Sequence, residues 1–192
     1  MSIVAEDVTV IFKNKAVLRD VNLRLERGTY WLRGPNASGK TTLLKVLSFL
    51  LKPTKGRVVA FGKEDARGEV VYVPPSPVLL KGTVRDNLEF GVKIAKRGDP
   101  ERVAEELGLL GLMDEEASKL SSGQAALVTL ARALAVEPRA IMVDELLNYL
   151  DEENLKRALK AIERVEVAVI ASHAPLPYRQ IVVRDGKAYL RS

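Results

Sequence analysis

The chain has 192 residues, of which 47% are hydrophobic, and this length favours one well-buried α/β domain over two. The formal net charge of +5 arises from mixed signs, and no dense Lys/Arg block indicates a nucleic-acid or membrane surface, so a solvated basic surface is the simpler interpretation. The absence of cysteine excludes disulfides, thiolate metal sites and cysteine nucleophiles.

The N-terminus lacks the charged-then-apolar pattern of a signal peptide. No apolar run approaches the roughly 20 residues that a membrane-spanning helix needs. We therefore expect a cytoplasmic protein that reaches a membrane only through another chain.

The first part of the chain predicts strands. Residues 8–12 and 21–25 alternate between apolar and polar side chains, which is typical of half-buried antiparallel strands. Residues 30–32 (Tyr-Trp-Leu) form a short continuous apolar run, as expected of a strand that is buried on both faces.

The next segment predicts a helix over residues 41–51, because its leucines recur with the helical period as far as Leu50. Pro53 and Gly56 would end this helix. Residues 58–61 and 69–73 are strand-like, and the prolines at positions 74, 75 and 77 predict an extended loop.

The middle of the chain turns helical. Asp99 before Pro100 predicts an N-cap followed by the first helical residue. The apolar stripe of this helix is Val103, Ala104, Leu107 and Leu110. Residues 124–136 predict a second, alanine-rich helix.

The last part alternates strands and helices. Residues 140–143 and 167–171 predict buried strands, and residues 155–165 carry a helical stripe between them. Two final strands are joined by Asp185-Gly186, a two-residue hairpin signal. Buried strands separated by helices predict an α/β fold with a mostly parallel central sheet and helices on both faces.

Residues 34–41 match the phosphate-loop pattern G-x-x-x-x-G-K-[ST] at every fixed position, between a predicted strand and a predicted helix. We expect Lys40 to reach the β- and γ-phosphates and the Thr41 hydroxyl to bind Mg²⁺. The predicted nucleotide-binding residues of this loop are Gly34, Pro35, Asn36, Ala37, Ser38, Gly39, Lys40, Thr41 and Thr42.

Polar residues follow two of the buried strands. Asp144 and Glu145 come after one strand, where Asp144 suits Mg²⁺ and Glu145 can deprotonate a water that attacks the γ-phosphate. His173, the single histidine, follows the other strand and can hydrogen-bond the γ-phosphate or the water. The alternatives are an acidic pair that complements a helix dipole and a structural or exposed histidine.

Residues 120–124 (Leu-Ser-Ser-Gly-Gln) resemble the LSGGQ signature of ABC ATPases, with Ser122 in place of the first glycine. With the phosphate loop before this segment and the acidic pair and His173 after it, all in the order of that family, the chain is similar over nearly its full length to ATP-binding subunits of ABC transporters. The resemblance implies a P-loop NTPase of the ABC type, with an N-terminal antiparallel β subdomain and a small inserted helical subdomain. It divides the single domain 1–192 into a core (1–75 and 137–192) and a helical signature subdomain (about 76–136).

The resemblance also assigns roles. Phe12 would stack on adenine, Lys40, Glu145 and His173 would be catalytic, and residues 148–151 look like the D-loop. Residues Ser121, Gly123 and Gln124 would close on the ATP held by a second subunit in a head-to-tail dimer. The simpler alternative for Ser121 is a helix N-cap.

The sequence departs from the family pattern at two places. Pro75 stands where the family has the Q-loop glutamine, and its side chain offers neither a donor nor an acceptor. Residues 146–149 (Leu-Leu-Asn-Tyr) replace the usual proline-threonine-serine-alanine run. Both changes bear on hydrolysis and coupling rather than on ATP binding.

Three functions stay open. The first is an ATP- and Mg²⁺-dependent subunit that energises an ABC transporter on the cytoplasmic face of the membrane. It would pair with a second ABC subunit, identical or different, and with an integral membrane permease; no nucleic-acid partner is expected. Residues 78–80 and 83–87 would border the groove that receives the permease; the alternative for residues 78–80 is that they belong to the hydrophobic core.

The second function is a soluble ABC ATPase, for example of the iron–sulfur assembly type. The third is a non-hydrolysing nucleotide-gated module, which Pro75 favours slightly.

Overall fold

A computed structural model describes residues 2–191, which contain nine strands and five α-helices. The strands are β1 (Ile3–Phe12), β2 (Lys15–Leu25), β3 (Gly28–Arg33), β4 (Lys55–Ala60), β5 (Val70–Val73), β6 (Ala140–Asp144), β7 (Val167–Ala171), β8 (Arg179–Arg184) and β9 (Lys187–Arg191). The helices are α1 (Lys40–Leu47), α2 (Val84–Ala95), α3 (Pro100–Glu106), α4 (Ser122–Ala135) and α5 (Glu152–Ile162), with short 3₁₀ turns at Leu110–Leu112, Ala117–Lys119 and Leu146–Tyr149. None of the helices within residues 2–191 has both the length and the apolar character needed to cross a bilayer.

The strands form two sheets. An antiparallel sheet of three strands has the order β2-β1-β4, and a sheet of six strands has the order β5-β6-β7-β3-β8-β9. All neighbours in the larger sheet are parallel except β8 and β9, which form the terminal hairpin. The predicted fold class, with its antiparallel N-terminal strands and mostly parallel central sheet, is confirmed.

Side-chain alternation along β3 separates two cores. Tyr30 and Leu32 face a core shared by the antiparallel sheet, α1 and one face of the large sheet. Trp31 faces the opposite core, which residues of α2 to α5 cover. Because the side chains of a strand point alternately to its two faces, a strand buried on both must be apolar throughout.

Several local predictions are confirmed. Asp99 caps α3 by accepting a hydrogen bond from the backbone N–H of Arg102, and Pro100 is the first helical residue. Asp185 and Gly186 both have positive φ, 52° and 78°, as a tight two-residue hairpin requires. Residues 76–136 contain α2 to α4. The division of the chain into a core and a helical subdomain stays a prediction.

Two helix ends were predicted wrongly. α1 ends at Leu47 rather than Leu51, because Phe49 adopts a left-handed conformation (φ 62°) and the next two backbone N–H groups both donate to Lys45 O. Leu50 is therefore 60% exposed. α3 ends at Glu106, so the predicted stripe does not continue to Leu110, which is 51% exposed.

The connection between β7 and β8 contains no helix. Parallel strands usually need a dozen or more connecting residues, yet only residues 172–178 cross β3 here. The short crossing suffices because β7 ends level with Leu32 while β8 begins level with Tyr30, so the chain returns by only two residues along the sheet. Leu176 is buried and anchors the crossing on the second core.

Candidate functional site

The phosphate-loop residues connect β3 to α1 in a conformation that needs glycine. Gly39 has φ 106°, and a Cβ there would lie 3.0 Å from Leu18 Cδ2 and 3.2 Å from Val17 O. A Cβ on Gly34 would clash with the carbonyl oxygen of Val183. Gly39 provides no side-chain cap to α1, so the first N–H groups of this helix remain available to an anion.

The Lys40 ammonium is buried beneath the loop, and the residue is only 7% exposed. Its Nζ donates to the carbonyl oxygens of Gly34 (3.0 Å) and Pro35 (3.3 Å) and lies 3.6 Å from Glu145 Oε1. These three partners compensate the charge in the free protein, and a phosphate group can take their place.

Asp144 ends β6 and is 1% exposed. The Tyr72 hydroxyl donates to Asp144 Oδ2 at 2.9 Å. Burial of the Tyr72 ring, together with this hydrogen bond to a carboxylate, raises the pKa of Tyr72 above its ordinary value. The phenol therefore stays protonated as a donor, which fixes the orientation of the Asp144 carboxylate.

Glu145 directly follows β6 in a left-handed conformation with φ 56°, which is uncommon for a residue with a side chain. Its backbone N–H donates to Ala171 O at the end of β7. The carboxylate lies between two groups, with Oε1 3.6 Å from Lys40 Nζ and Oε2 3.3 Å from His173 Nε2. His173 itself is 59% exposed at the side chain, so solvent reaches this point.

These residues surround one cavity of 440 Å³ at the carboxyl ends of the parallel strands, which we call the phosphate-loop cavity. It is lined by Val17, Asn36, Ala37, Gly39, Lys40, Thr41, Thr42, Pro75, Asp144, Glu145 and His173. The structure thus brings together the phosphate-loop residues, the acidic pair and the single histidine, which come from widely separated parts of the sequence.

The phosphate-loop cavity fits a magnesium nucleotide in two respects. Ser38 Oγ, within the loop, is buried and has no hydrogen-bond partner among residues 2–191, so it is a free donor for a phosphate oxygen although Ser38 does not line the cavity wall. The Thr41 hydroxyl and the Asp144 carboxylate line the same cavity, and such oxygen ligands are those that Mg²⁺ prefers.

A model of the ABC transporter family matches residues 18–148, which include the phosphate loop, the signature-like segment and the acidic pair. The match covers more than half of the chain. The chain belongs to the ABC transporter family of ATP-binding proteins.

Individual members of this family agree with that assignment. The energy-coupling factor transporter ATP-binding protein of Halalkalibacterium halodurans is 36% identical over 169 residues, which are 78% of this chain and 60% of the relative. The molybdate/tungstate import ATP-binding protein of Thermococcus kodakarensis is 32% identical and covers 86% of this chain and 54% of the relative. This chain therefore spans little more than half the length of these relatives.

The fold of the ABC family recurs in solved structures. A dimeric ATP-binding cassette, MJ0796, described in a post-hydrolysis state bound to ADP and Pi, superposes with a TM-score of 0.85. The alignment covers 97% of this chain and 96% of that one, at 23% identity. At this identity the likeness shows the shared fold.

Several predicted residues of this ABC protein lie outside the phosphate-loop cavity. Phe12 is 47% exposed at the end of β1, where it pairs with Lys15 of β2. Ser121 is the N-cap of α4, and its hydroxyl accepts from the Gln124 backbone N–H while the Gln124 side chain accepts from the Ser121 N–H. A Cβ on Gly123 would lie 3.3 Å from Tyr149 O, so the signature-like segment contacts the turn after Glu145.

Sequence reasoning gave no role to two residues of the site. Val17 of β2 lines the phosphate-loop cavity, and Tyr72 of β5 holds Asp144. A signal for Tyr72 existed, because it pairs with Met142 in the register of β5 and β6, and Asp144 stands two residues further along the same face. No pattern in the sequence identified Val17, since its place depends on how the antiparallel sheet packs against the loop.

Proposed function

We propose that this chain binds ATP with Mg²⁺ in the phosphate-loop cavity, hydrolyses it, and energises a transporter from the cytoplasmic face of a membrane. The observation that carries the proposal is the position of the Glu145 carboxylate, 3.6 Å from the buried Lys40 ammonium and 3.3 Å from His173. A base, a phosphate-binding cation and an exposed imidazole thus meet at one point.

Different residues of the site would have different roles in phosphoryl transfer. The backbone N–H groups of the loop and α1, the Lys40 ammonium and the Ser38 hydroxyl would bind the phosphate oxygens and offset the charge that builds up on them. Glu145 would orient the attacking water and accept its proton, and His173 would hydrogen-bond the water or the γ-phosphate. Thr41 and Asp144 would hold Mg²⁺, which supplies charge neutralisation at the phosphates when bound.

Glu145 is well suited to act as the base. Its strained backbone turn aims the carboxylate at the cavity, and the Ala171 carbonyl fixes the turn at its first N–H group. When a phosphate replaces Glu145 next to Lys40, the carboxylate is freed toward solvent and His173, where an attacking water would lie.

We infer that the functional unit is a head-to-tail dimer. Ser121 is exposed at the N-terminus of α4 and does not line the chain's own phosphate-loop cavity. A hydroxyl and the N-terminus of a long helix suit an anion, so a second subunit would be the source of the ATP that this segment contacts. Phe12 offers an exposed ring at the hairpin whose second strand supplies Val17 to the cavity.

A cavity of 390 Å³ supports the attachment of a permease. It is lined by Leu79, Leu80, Lys81 and Gly82 on one side and by residues 116–118 on the other. The backbone of Val78 is held by Thr129 Oγ1 at 3.0 Å, which anchors this loop on α4. The relatives named above are transporter ATP-binding proteins, which also favours a membrane partner.

Paired variants test ATP binding and hydrolysis separately. Lys40→Ala should abolish ATP binding in a titration, whereas Lys52→Ala, which removes an exposed lysine outside the cavity, should bind ATP as the wild type does. Glu145→Gln should bind ATP but lose turnover by about 100-fold or more, since general-base catalysis contributes that much. Wild-type turnover in Glu145→Gln would remove Glu145 as the base.

Attachment to a transporter needs a different experiment. The Glu145→Gln variant, trapped with Mg-ATP in detergent-solubilised native membranes, should co-purify with a polytopic membrane protein in fixed ratio. Recovery of a soluble partner in fixed ratio instead would support the soluble ABC ATPase and overturn the coupling to transport, while leaving ATP hydrolysis unaffected.

A further inference from the structure

A second cavity, of 660 Å³, lies beside the phosphate-loop cavity and shares one of its walls. It occupies the end of the large sheet formed by β3, β8 and β9. His173 lines both cavities, and Gly34 and Pro35 of the phosphate loop border the second. A ligand in the second cavity would therefore contact the same loop and the same histidine as a nucleotide in the phosphate-loop cavity.

The register of the strands explains why this face is open. Arg33, Val182 and Tyr189 form one row across the three strands, and Gln180 and Arg191 pair in a second row. Residues in register point to the same face, so these side chains stand together. The short connection of residues 172–178 contains no helix, and the cavity occupies the sheet face that it leaves open.

The second cavity is strongly cationic. Arg33, Arg184 and Arg191 line it, and none of its lining residues within the described part of the chain carries a carboxylate. The ion pair of Arg184 with Asp185, at 3.7 Å and 74% and 91% exposed, is too solvated to neutralise it.

The remaining two arginines differ in how firmly they are held. Arg33 is oriented by the Gln180 side chain at 3.3 Å and by the Trp31 ring beneath it. Arg191 forms no ion pair with any residue between 2 and 191. One oriented guanidinium, two guanidiniums without a buried ion pair and the half-exposed Tyr189 ring thus surround a single concavity.

We propose that this second cavity binds a phosphate-class anion, such as inorganic phosphate or pyrophosphate, through Arg33, Arg184 and Arg191. Guanidinium groups match the geometry of phosphate oxygens and donate two hydrogen bonds at once. Three of them in one cavity without a carboxylate select a multiply charged anion over a neutral ligand. The volume leaves room for more than one phosphate group, so pyrophosphate should bind more tightly than phosphate.

The binding itself does not depend on the proposed function, but its role does. If the chain hydrolyses ATP, the cleaved phosphate is released beside His173, at the wall that the two cavities share. The second cavity then offers the product a site on its way out of the phosphate-loop cavity.

The test measures anion binding with the phosphate loop disabled. Pyrophosphate without metal is titrated calorimetrically into the full chain carrying Lys40→Ala, and one site per chain is expected. Adding Arg184→Gln and Arg191→Gln should weaken binding by about tenfold for each lost charge-assisted contact. Adding Lys52→Gln instead should change binding less than about twofold, because Lys52 is an exposed cation outside the terminal hairpin that does not line the cavity.

A further variant and the nucleotide titration complete the test. Arg191→Lys keeps the positive charge but loses the bidentate hydrogen-bonding geometry of a guanidinium. Its affinity for pyrophosphate should therefore lie between those of the Arg191→Gln variant and the chain with Arg191. Absence of pyrophosphate binding to the Lys40→Ala chain, or equal weakening by Lys52→Gln, refutes the anion site. ATP binding by the wild-type phosphate loop is measured separately, so failure of the anion site and failure of the proposed function give different results.

Discussion

Replacing Tyr72 with phenylalanine removes a single hydroxyl group and should destabilise the protein measurably. That hydroxyl donates at 2.9 Å to the carboxylate of Asp144, which is 1% exposed. A hydrogen bond to a charged group contributes about 1.5–3 kcal/mol, and a carboxylate that is 1% exposed is poorly rehydrated when its donor is lost. We expect Tyr72→Phe to lower the free energy of unfolding by about 2 kcal/mol without nucleotide.

Urea denaturation followed by circular dichroism measures this loss. With a denaturant slope of about 2 kcal/mol per molar, the midpoint should fall by about 1 M. Tyr178→Phe is the matched control, because the Tyr178 hydroxyl also donates to a carboxylate, Glu163 at 2.7 Å, but that carboxylate is exposed and can be rehydrated. The control should lose less than about 1 kcal/mol. Equal losses in the two variants would refute the argument that burial of Asp144 sets the magnitude.

Three further predictions follow from other contacts. Gly39→Ala should weaken ATP binding at least about tenfold, as measured by titration, because φ 106° is strained for alanine and its Cβ would lie only 3.0 Å from Leu18 Cδ2. Gly111→Ala, with open space around it, should bind ATP normally. Ser121→Ala should lower the free energy of unfolding in urea by about 1 kcal/mol through loss of the α4 cap; an unchanged midpoint would mean that the cap contributes nothing. Burial and carboxylate contacts raise the pKa values of Tyr72 and Tyr178 in the folded protein. The free energy of unfolding should therefore be constant below about pH 10 and fall above it by up to about 1.4 kcal/mol per pH unit for each tyrosine. Tyr178→Phe should make this fall less steep in urea titrations at about pH 9 to 11.

The parts of the fold that the sequence predicted are those with local signals. The Asp99-Pro100 start of α3 and the Asp185-Gly186 hairpin follow from residues whose backbone preferences are strong. The end of α1 did not follow, because it depends on a phenylalanine in a left-handed turn, for which no residue preference exists. α2 was not delimited either, although Thr83 and Asp86 form a capping box at its start.

The candidate site shows the same division. The phosphate loop and the acidic pair are contiguous patterns whose chemistry requires those residue types, and they meet in the phosphate-loop cavity as the strand order demands. Arg33, Arg184 and Arg191 were not singled out, because they come from three strands and the sequence carries no sign that the face above them lacks a helix. Their convergence results from the strand register and from the brevity of the 172–178 connection.

The position of β3 between β7 and β8 affects the order in which the chain can fold during its synthesis. The antiparallel sheet is complete in sequence at Ala60, where β4 ends, so it can assemble soon after that strand leaves the ribosome. β3 carries the phosphate loop, yet both of its partners are translated from Val167 onwards. Until then its backbone hydrogen-bonding groups stay unpaired, and such strands are prone to aggregate. A nascent chain therefore gains its nucleotide site among its final structures, and any translational pause before Val167 prolongs the interval in which β3 lacks both partner strands.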